Sequence, residues 1–291
     1  MKRQDFRHLE KLRVRWAEVD LQKIVFNGHY LSYFDIAMAG YWRALALPYH
    51  ETMAHFQGDL FVRKATLEYL GSARYDEQLA VGMRCARIGK SSIRFDAAVF
   101  REQRCLVHGE LIYVFADPST QTSRELPQAL RDLLTGFEAG EPMLEVRVGG
   151  WDEHGPLAQG LREAAFKEAL DIDSGMGFDD ADTRAVHAVA FNRLGVALAT
   201  GRLLPTGVPA QDGCRVGRIG RMATGNALRG AGLGTAVLQS LRDVARKRGD
   251  QELRLMAHSG VDGFYRRAGF QPCGEVFEEA GIPHQEMRQV L

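Results

Sequence analysis

Cysteine is scarce in this chain of 291 residues, with only Cys85, Cys105, Cys214 and Cys273 present. None belongs to a Cys-x-x-Cys pair or sits beside a histidine, so the spacing offers no metal site, and the four read as reduced structural thiols. An excess of either charge is also missing, since 37 Lys plus Arg balance 37 Asp plus Glu. Without a global positive field no nucleic-acid partner is expected, and any anionic ligand must be held by local geometry. Long hydrophobic runs are absent as well. The charged segment Met1 to Lys11 is followed by no signal-peptide core. The most apolar stretch, Ile24 to Leu47, is broken by Asn27, His29, Asp35 and Arg43 and predicts a buried helix, with no membrane span. The expectation is a soluble, cytoplasmic protein without a permanently bound cofactor.

What is present is a globular composition, 45% hydrophobic and 25% charged, which excludes global disorder. At roughly 150 residues per domain the length suggests two domains. After a first helix, four strand-like segments follow, Leu60 to Leu70, Gln78 to Ile88, Ser92 to Arg101 and Cys105 to Ala116, and the simplest reading is an antiparallel meander. A short helix over Pro127 to Leu134 precedes Gly136 to Pro142, a Gly- and Glu-rich stretch with little apolar content. Beyond it the pattern turns to mixed α and β, with no internal repeat. Strands are expected at Met143 to Val148, Ala185 to Phe191, Val196 to Leu204 and Val216 to Ala223, and helices at Pro156 to Leu170 and Thr235 to Arg248. The fold class is α+β, with domains at 1–138 and 143–291.

In the first half, Asp20 precedes the helix His29 to Leu47, which at ~1.5 Å per residue is about 28 Å long. Its apolar residues, among them Leu31, Phe34, Ile36, Met38, Tyr41 and Trp42, occupy nearly every face and predict wrapping on most sides by a curved sheet. A helix N-terminus offers unpaired N–H donors to a developing oxyanion, and a nearby carboxylate can attack or activate water. Asp20 could equally stabilise a turn, with Asn27 capping the helix. The acid, the Ile24-Val-Phe-Asn27-Gly28-His-Tyr30 entry, Ala73-Arg-Tyr-Asp-Glu77 and Arg87-Ile-Gly-Lys90-Ser91-Ser-Ile93 together resemble the hotdog-fold thioesterases of the 4-hydroxybenzoyl-CoA thioesterase type over residues 8 to 138. The resemblance implies Asp20 as nucleophile or general base, and a backbone N–H near Asn27 and Gly28 as polariser of the thioester carbonyl. It also implies a CoA contact near Lys90 and Ser91, and an active site at a subunit interface in a homodimer or homotetramer. Two positions depart from the family: Lys23 stands where many relatives carry Gly, and Asn27 where some carry His. Gly89-Lys90-Ser91 is not a nucleoside-triphosphate loop, because Arg84 occupies the position of the required earlier Gly. His29 and Asp35 read as structural.

In the second half a strand runs into Met222-Ala-Thr-Gly-Asn-Ala-Leu-Arg229-Gly230-Ala-Gly232-Leu-Gly234-Thr235, which opens a helix with an apolar stripe at Val237, Leu238, Leu241, Val244 and Ala245. Glycines between a strand and a helix let a pyrophosphate approach backbone N–H groups. The dinucleotide fingerprint is imperfect, since Thr235 stands where the third Gly belongs. Arg229-x-x-Gly232-x-Gly234 with Phe264-Tyr265-Arg-Arg-Ala-Gly269-Phe270 resembles the GNAT superfamily of N-acetyltransferases. The similarity extends over about Met143 to Leu291 and includes Arg162 to Phe166, Gly201 to Pro205 and Glu279 to His284. It implies that Arg229, Gly230, Gly232, Gly234 and Thr235 bind the CoA pyrophosphate, that the backbone at Met222 and Ala223 pairs with the pantetheine arm, and that Tyr265 protonates the leaving thiolate. Ala257-His258-Ser259 departs from the polar amides common there. Asp179, Asp180, Asp182 and His284 are all open as general base, the loop acids reading equally well as solvated. The expected function is a bifunctional acyl-CoA enzyme, hydrolysing acyl-CoA and transferring an acetyl or acyl group to an amine. The alternative is one active domain with the other binding acyl-CoA or assembling the chain.

Overall fold

The computed structural model describes residues 1–170, 178–205, 215–279 and 281–291. The chain divides into two compact units, Met1–Met143 and Leu144–Leu291. Cys214, part of the loop between Asp171 and Thr183, and Ala280 lie outside the described residues.

The first unit runs β1 (His8–Arg13), α1 (His29–Ala44), α2 (Tyr49–His55), β2 (Asp59–Tyr69), β3 (Gln78–Ile88), β4 (Ser92–Arg101), β5 (Arg104–Ala116) and α3 (Gln128–Glu138). Its sheet has the order β1-β3-β4-β5-β2, every pair antiparallel. Only β3, β4 and β5 form a meander. The strand that precedes them, β2, pairs with β5, which departs from the simplest sequence reading. Short turns such as Gly89-Lys90 enforce hairpins, whereas the longer β2–β3 connection leaves β2 free to close the far edge. The helix α1 lies across the sheet, with Tyr33, Phe34 and Tyr41 at 1% exposure or less, and full burial of each such side chain contributes about 1.5–3 kcal/mol. Phe34 approaches the sheet at Gly109, where an added Cβ would lie 2.4 Å from the Thr66 carbonyl oxygen. Wrapping is incomplete, however. Leu31 and Ile36 stay exposed on α1, and the edge strand β2 carries exposed Val62 and Tyr69.

The second unit runs β6 (Leu144–Gly149), α4 (Trp151–Leu170), β7 (Val186–Asn192), β8 (Ala197–Leu204), β9 (Val216–Thr224), α5 (Leu233–Arg248), β10 (Glu252–His258), α6 (Asp262–Arg267), β11 (Gln271–Glu279) and β12 (Ile282–Val290). The mixed sheet has the order β11-β12-β10-β9-β8-β7-β6, with β9 and β10 its parallel pair. α4 begins five residues before Pro156, the proline that suggests a helix start from sequence because Pro is favoured at the first helical position. α5 buries Val237, Leu238, Leu241 and Ala245, and Gly249 ends it in the left-handed region at φ 84°. The two units are therefore an antiparallel sheet carrying a central helix and a mixed sheet flanked by helices, the α+β arrangement expected.

Candidate active sites

In the first unit the chain leaving β1 makes a tight loop from Asp20 to Ile24. The Asp20 N–H donates to the Ile24 carbonyl and the Lys23 N–H to the Asp20 carbonyl, both at 2.9 Å. The Asp20 carboxylate accepts the Gln22 N–H through Oδ1 at 2.8 Å, and Oδ2 has no partner among the described residues. Lys23 completes the loop at φ 60°, a left-handed conformation that costs a non-glycine residue roughly 1–2 kcal/mol. That accounts physically for glycine at this position in the resembled family.

The start of α1 follows at once. Gly28 holds the N-cap position with no side-chain cap, so Asn27 is not the cap. Its carbonyl instead accepts the Tyr69 hydroxyl at 3.1 Å. The N–H groups of Asn27 and Gly28 have no acceptor among the described residues. Asp20 and Asn27 line one cavity of about 760 Å³ with Leu21, Phe26, Tyr30 and Tyr69. A half-buried carboxylate with a spare oxygen and Asn27, just ahead of the α1 N-cap, thus share one space of mixed polar and apolar lining, which Gly28 does not line. Lys90 and Ser91 lie on the β3–β4 turn, held by Arg131 Nη2, which donates to the Gly89 and Lys90 carbonyls at 2.7 and 2.6 Å. Neither lines this cavity. Glu18 escapes sequence reasoning: its carboxylate accepts the Tyr33 hydroxyl at 2.8 Å and the Arg15 N–H at 2.7 Å, fixing the loop that carries Asp20. Burial first, and then this hydrogen bond, push the Tyr33 phenol above its ordinary range. No local pattern marks a pair fifteen residues apart.

In the second unit β9 and β10 pair only from Val216 to Arg218 against Glu252 to Arg254, and then part. Beyond Arg218 the β10-facing edge of β9 is open, and a register shift sits opposite Thr200 and Arg202, where Arg221 takes φ 52°. The opening widens into a cavity of about 930 Å³. Met222, Ala223, Arg229, Gly230, Gly232, Gly234, Thr235 and Tyr265 all line it, so the residues expected to hold CoA from the second resemblance converge on one space. Gly230 and Gly232 adopt φ of 84° and 85°, and Gly232 is the N-cap of α5. A Cβ on either would meet no protein atom within 4 Å, so these glycines serve backbone conformation and leave an open concavity over the helix N-terminus. The helix begins at Leu233, two residues earlier than the glycine pattern suggests, because Leu233 and Gly234 already carry helical geometry behind a left-handed cap. Tyr265 is 8% exposed, and burial pushes its phenol up to about 12. It stays protonated at neutral pH and can donate.

Beside the cavity stands an ionic cluster that sequence patterns do not expose. Asp182 is fully buried, where a solvated loop acid is one expectation. It accepts Arg162 Nη1 at 2.8 Å and lies 2.9 Å from Arg202 Nη1. Asp179 takes both guanidinium arms of Arg202, at 2.7 and 2.8 Å, and Arg221 Nη2 at 3.0 Å. Hydrogen bonds from these arginines hold both carboxyls below the usual range against the opposing effect of burial. His187 Nε2 meets the Asp182 carbonyl at 2.9 Å and Nδ1 meets Arg162 at 3.2 Å, so burial leaves a neutral ring with the proton on Nε2. Asp180 is exposed. Among the described residues there is no cluster of three or more His, Cys, Asp or Glu able to hold a metal, and no helix long and apolar enough to cross a membrane.

Comparison with known proteins divides the chain in the same way. Residues 22–107 match the thioesterase superfamily and residues 192–291 match the acetyltransferase (GNAT) domain. The chain is 24% identical over 120 residues to the acyl-CoA thioester hydrolase YbgC of Escherichia coli, covering 41% of this chain and 89% of that protein. It is 25% identical over 134 residues to the protein YyaT of Bacillus subtilis, covering 45% of this chain and 85% of that protein. A solved Lactobacillus plantarum structure, described as a candidate N-acetyltransferase, is 26% identical, covers 52% of this chain and 99% of its own, and superposes with a TM-score of 0.46.

Proposed function

We propose, for a chain that joins a hotdog domain of the thioesterase superfamily to a GNAT acetyltransferase domain, that residues 1–138 hydrolyse acyl-CoA thioesters and residues 143–291 transfer an acetyl or acyl group from CoA to an amine. The observation that carries the reading is the convergence of the glycine loop, the open β9 edge and Tyr265 on a single cavity. The pyrophosphate lies against the N–H groups from Gly230 to Thr235, where the helix dipole and unpaired donors favour an anion. The pantetheine arm adds to the open backbone at Met222 and Ala223 as an extra strand. The Tyr265 hydroxyl donates to the departing sulfur.

In the first domain Asp20 attacks the thioester carbonyl or activates water, and the N–H groups at Asn27 and Gly28 receive the developing oxyanion. One such donor is worth ~10²–10³ in rate. Lys90 and Ser91 contact CoA phosphate, which places them against a ligand held in an assembled dimer or tetramer. The exposed Leu31, Ile36, Val62 and Tyr69 support that assembly, because exposed large apolar side chains and an unpaired strand edge are normally covered. Both substrates are diffusible, and the protein works as a soluble cytoplasmic enzyme. The test is a screen of acyl-CoA chain lengths, with and without amines, on the full chain. The reading expects Asp20→Asn to abolish release of free thiol from acyl-CoA in the absence of amine, while leaving acetyl transfer to amine and the folded spectrum unchanged. Full thiol release by that variant removes Asp20 from the mechanism.

A further inference from the structure

The transferase needs a proton acceptor, and the acids nearest its cavity are poor ones. Asp179 and Asp182 are clamped by Arg162, Arg202 and Arg221, and taking up a proton would break those contacts. No Asp or Glu lines the cavity among the described residues. Two histidines do. His258 ends β10 and His284 lies on β12, directly opposite it in the antiparallel register, with ring centroids 6.1 Å apart. Phe277, paired with His284 across β11 and β12, stacks on that ring at 5.9 Å and 25°.

The tautomers follow from geometry. His258 Nδ1 lies 2.8 Å from the Ser259 carbonyl oxygen and His284 Nδ1 lies 2.9 Å from that of Ile282. A carbonyl oxygen only accepts, so each Nδ1 carries a proton, and in the neutral ring it is Nε2 that presents the lone pair a general base requires. Neither Nε2 has a partner among the described residues. Placement along the strands agrees with this role. Arg254 forms the last pair with Arg218 on the parallel strand, and His258, four residues beyond the point where the strands part, lines the same cavity as Met222.

We propose that His258 and His284 together form the proton-accepting pair of the acetyl transfer, an inference that rests on the transferase reading above. An alkylammonium must lose two protons to become an amide. The first passes to one imidazole, freeing the amine lone pair to attack the thioester carbonyl carbon. The C–N bond forms, and the second proton leaves nitrogen for the other imidazole as the tetrahedral intermediate collapses and the C–S bond breaks. Sulfur takes a proton through Tyr265, which is reprotonated by one imidazolium, and the other imidazolium releases its proton to solvent. The products are the amide and CoA thiol. The other charged groups around the pair are cationic or paired. Arg202, Arg218, Arg221, Arg229 and Arg267 line the cavity, and Glu286 on β12 lies between Arg218 and Arg254 at 3.7 and 3.6 Å.

The experiment follows acetylated product by mass spectrometry, using the full chain, acetyl-CoA and a panel of spermidine, L-lysine, D-glucosamine and glycyl peptides. His284→Gln and His258→Gln are each expected to lower kcat/KM for the accepted amine on the order of 10²-fold near neutral pH, with the loss shrinking as pH rises and more amine arrives unprotonated. Acetyl-CoA affinity by calorimetry should stay within about threefold of the unsubstituted chain, which separates loss of the base from loss of fold. Variants that keep the parent rate and pH profile overturn the proposal. So does a loss that is independent of pH, which marks the pair as structural. Absence of transfer by the unsubstituted chain to every amine removes the transferase reading itself, and this inference with it.

Discussion

Gly232 offers the sharpest test of the CoA loop, because its structural cost and its functional cost can be separated. At φ 85° it caps α5, and a Cβ there meets no protein atom within 4 Å. Gly232→Ala therefore pays only for backbone conformation, roughly 1–2 kcal/mol. In a unit spanning Leu144–Leu291, that lowers Tm by about 2–8 °C. Gly232→Asn adopts the same conformation at lower cost, since Asn is among the residues that visit the left-handed region, and should keep most of the stability. Both side chains project into the open space above the helix N-terminus, where the pyrophosphate would lie. Displacing that group from one or two charge-assisted hydrogen bonds removes about 1.5–3 kcal/mol each, which corresponds to a tenfold loss of affinity for every 1.4 kcal/mol. Acetyl-CoA binding by calorimetry should accordingly fall at least tenfold in both variants, while thermal scans separate them. An Asn variant that binds acetyl-CoA as tightly as the parent would refute the pyrophosphate assignment.

Other outcomes follow from the same geometry. Asp182 has its folded-state pKa depressed below the ordinary 3.8, so its contribution is complete above that value and is lost as pH falls through the lower, folded one. A thermal series from neutral pH into acid should show the second unit losing stability below roughly pH 4. Asp182→Asn should flatten that dependence and cost about 3–5 kcal/mol at neutral pH, because it removes a buried carboxylate paired with Arg162 and Arg202. Lys23→Gly relieves a φ of 60° and should change stability by less than about 1 kcal/mol in either direction. A large loss in chemical denaturation would show that the Lys23 side chain does something the backbone does not account for. Ile36→Glu, at an exposed position of α1, should shift the chain toward monomer in light scattering at micromolar concentration. An unchanged mass would place the interface elsewhere.

The legible parts of this protein are those written in local chain geometry. Short turns between β3, β4 and β5 enforce their pairing, and the periodicity of α5 predicts its buried face. Gly230 and Gly232 announce left-handed backbone between a strand and a helix, so the anion cradle can be read residue by residue. The roles proposed for Tyr265 and for the backbone at Met222 and Ala223 come instead from the family resemblance. The glycine at Lys23's position in the resembled family is explained once the loop's φ is known.

What escaped reading depends on pairings across distance. β2 reaches past its neighbours in sequence to pair with β5, since nothing in its alternation specifies which edge it joins. Asp182 looks like one loop acid among three until Arg162 and Arg202, each twenty residues away, close on it and leave it fully buried. His258 and His284 become a pair only because β10 and β12 run antiparallel in one register. The sequence by itself determined two unlike domains, most strands and helices of the first and those of the second up to α5, the acid ahead of the first helix and the glycine turn ahead of the second. Tertiary structure alone decided which carboxylates are locked in ion pairs and which imidazoles face the cavity, because burial and partner choice are properties of segments brought together by folding.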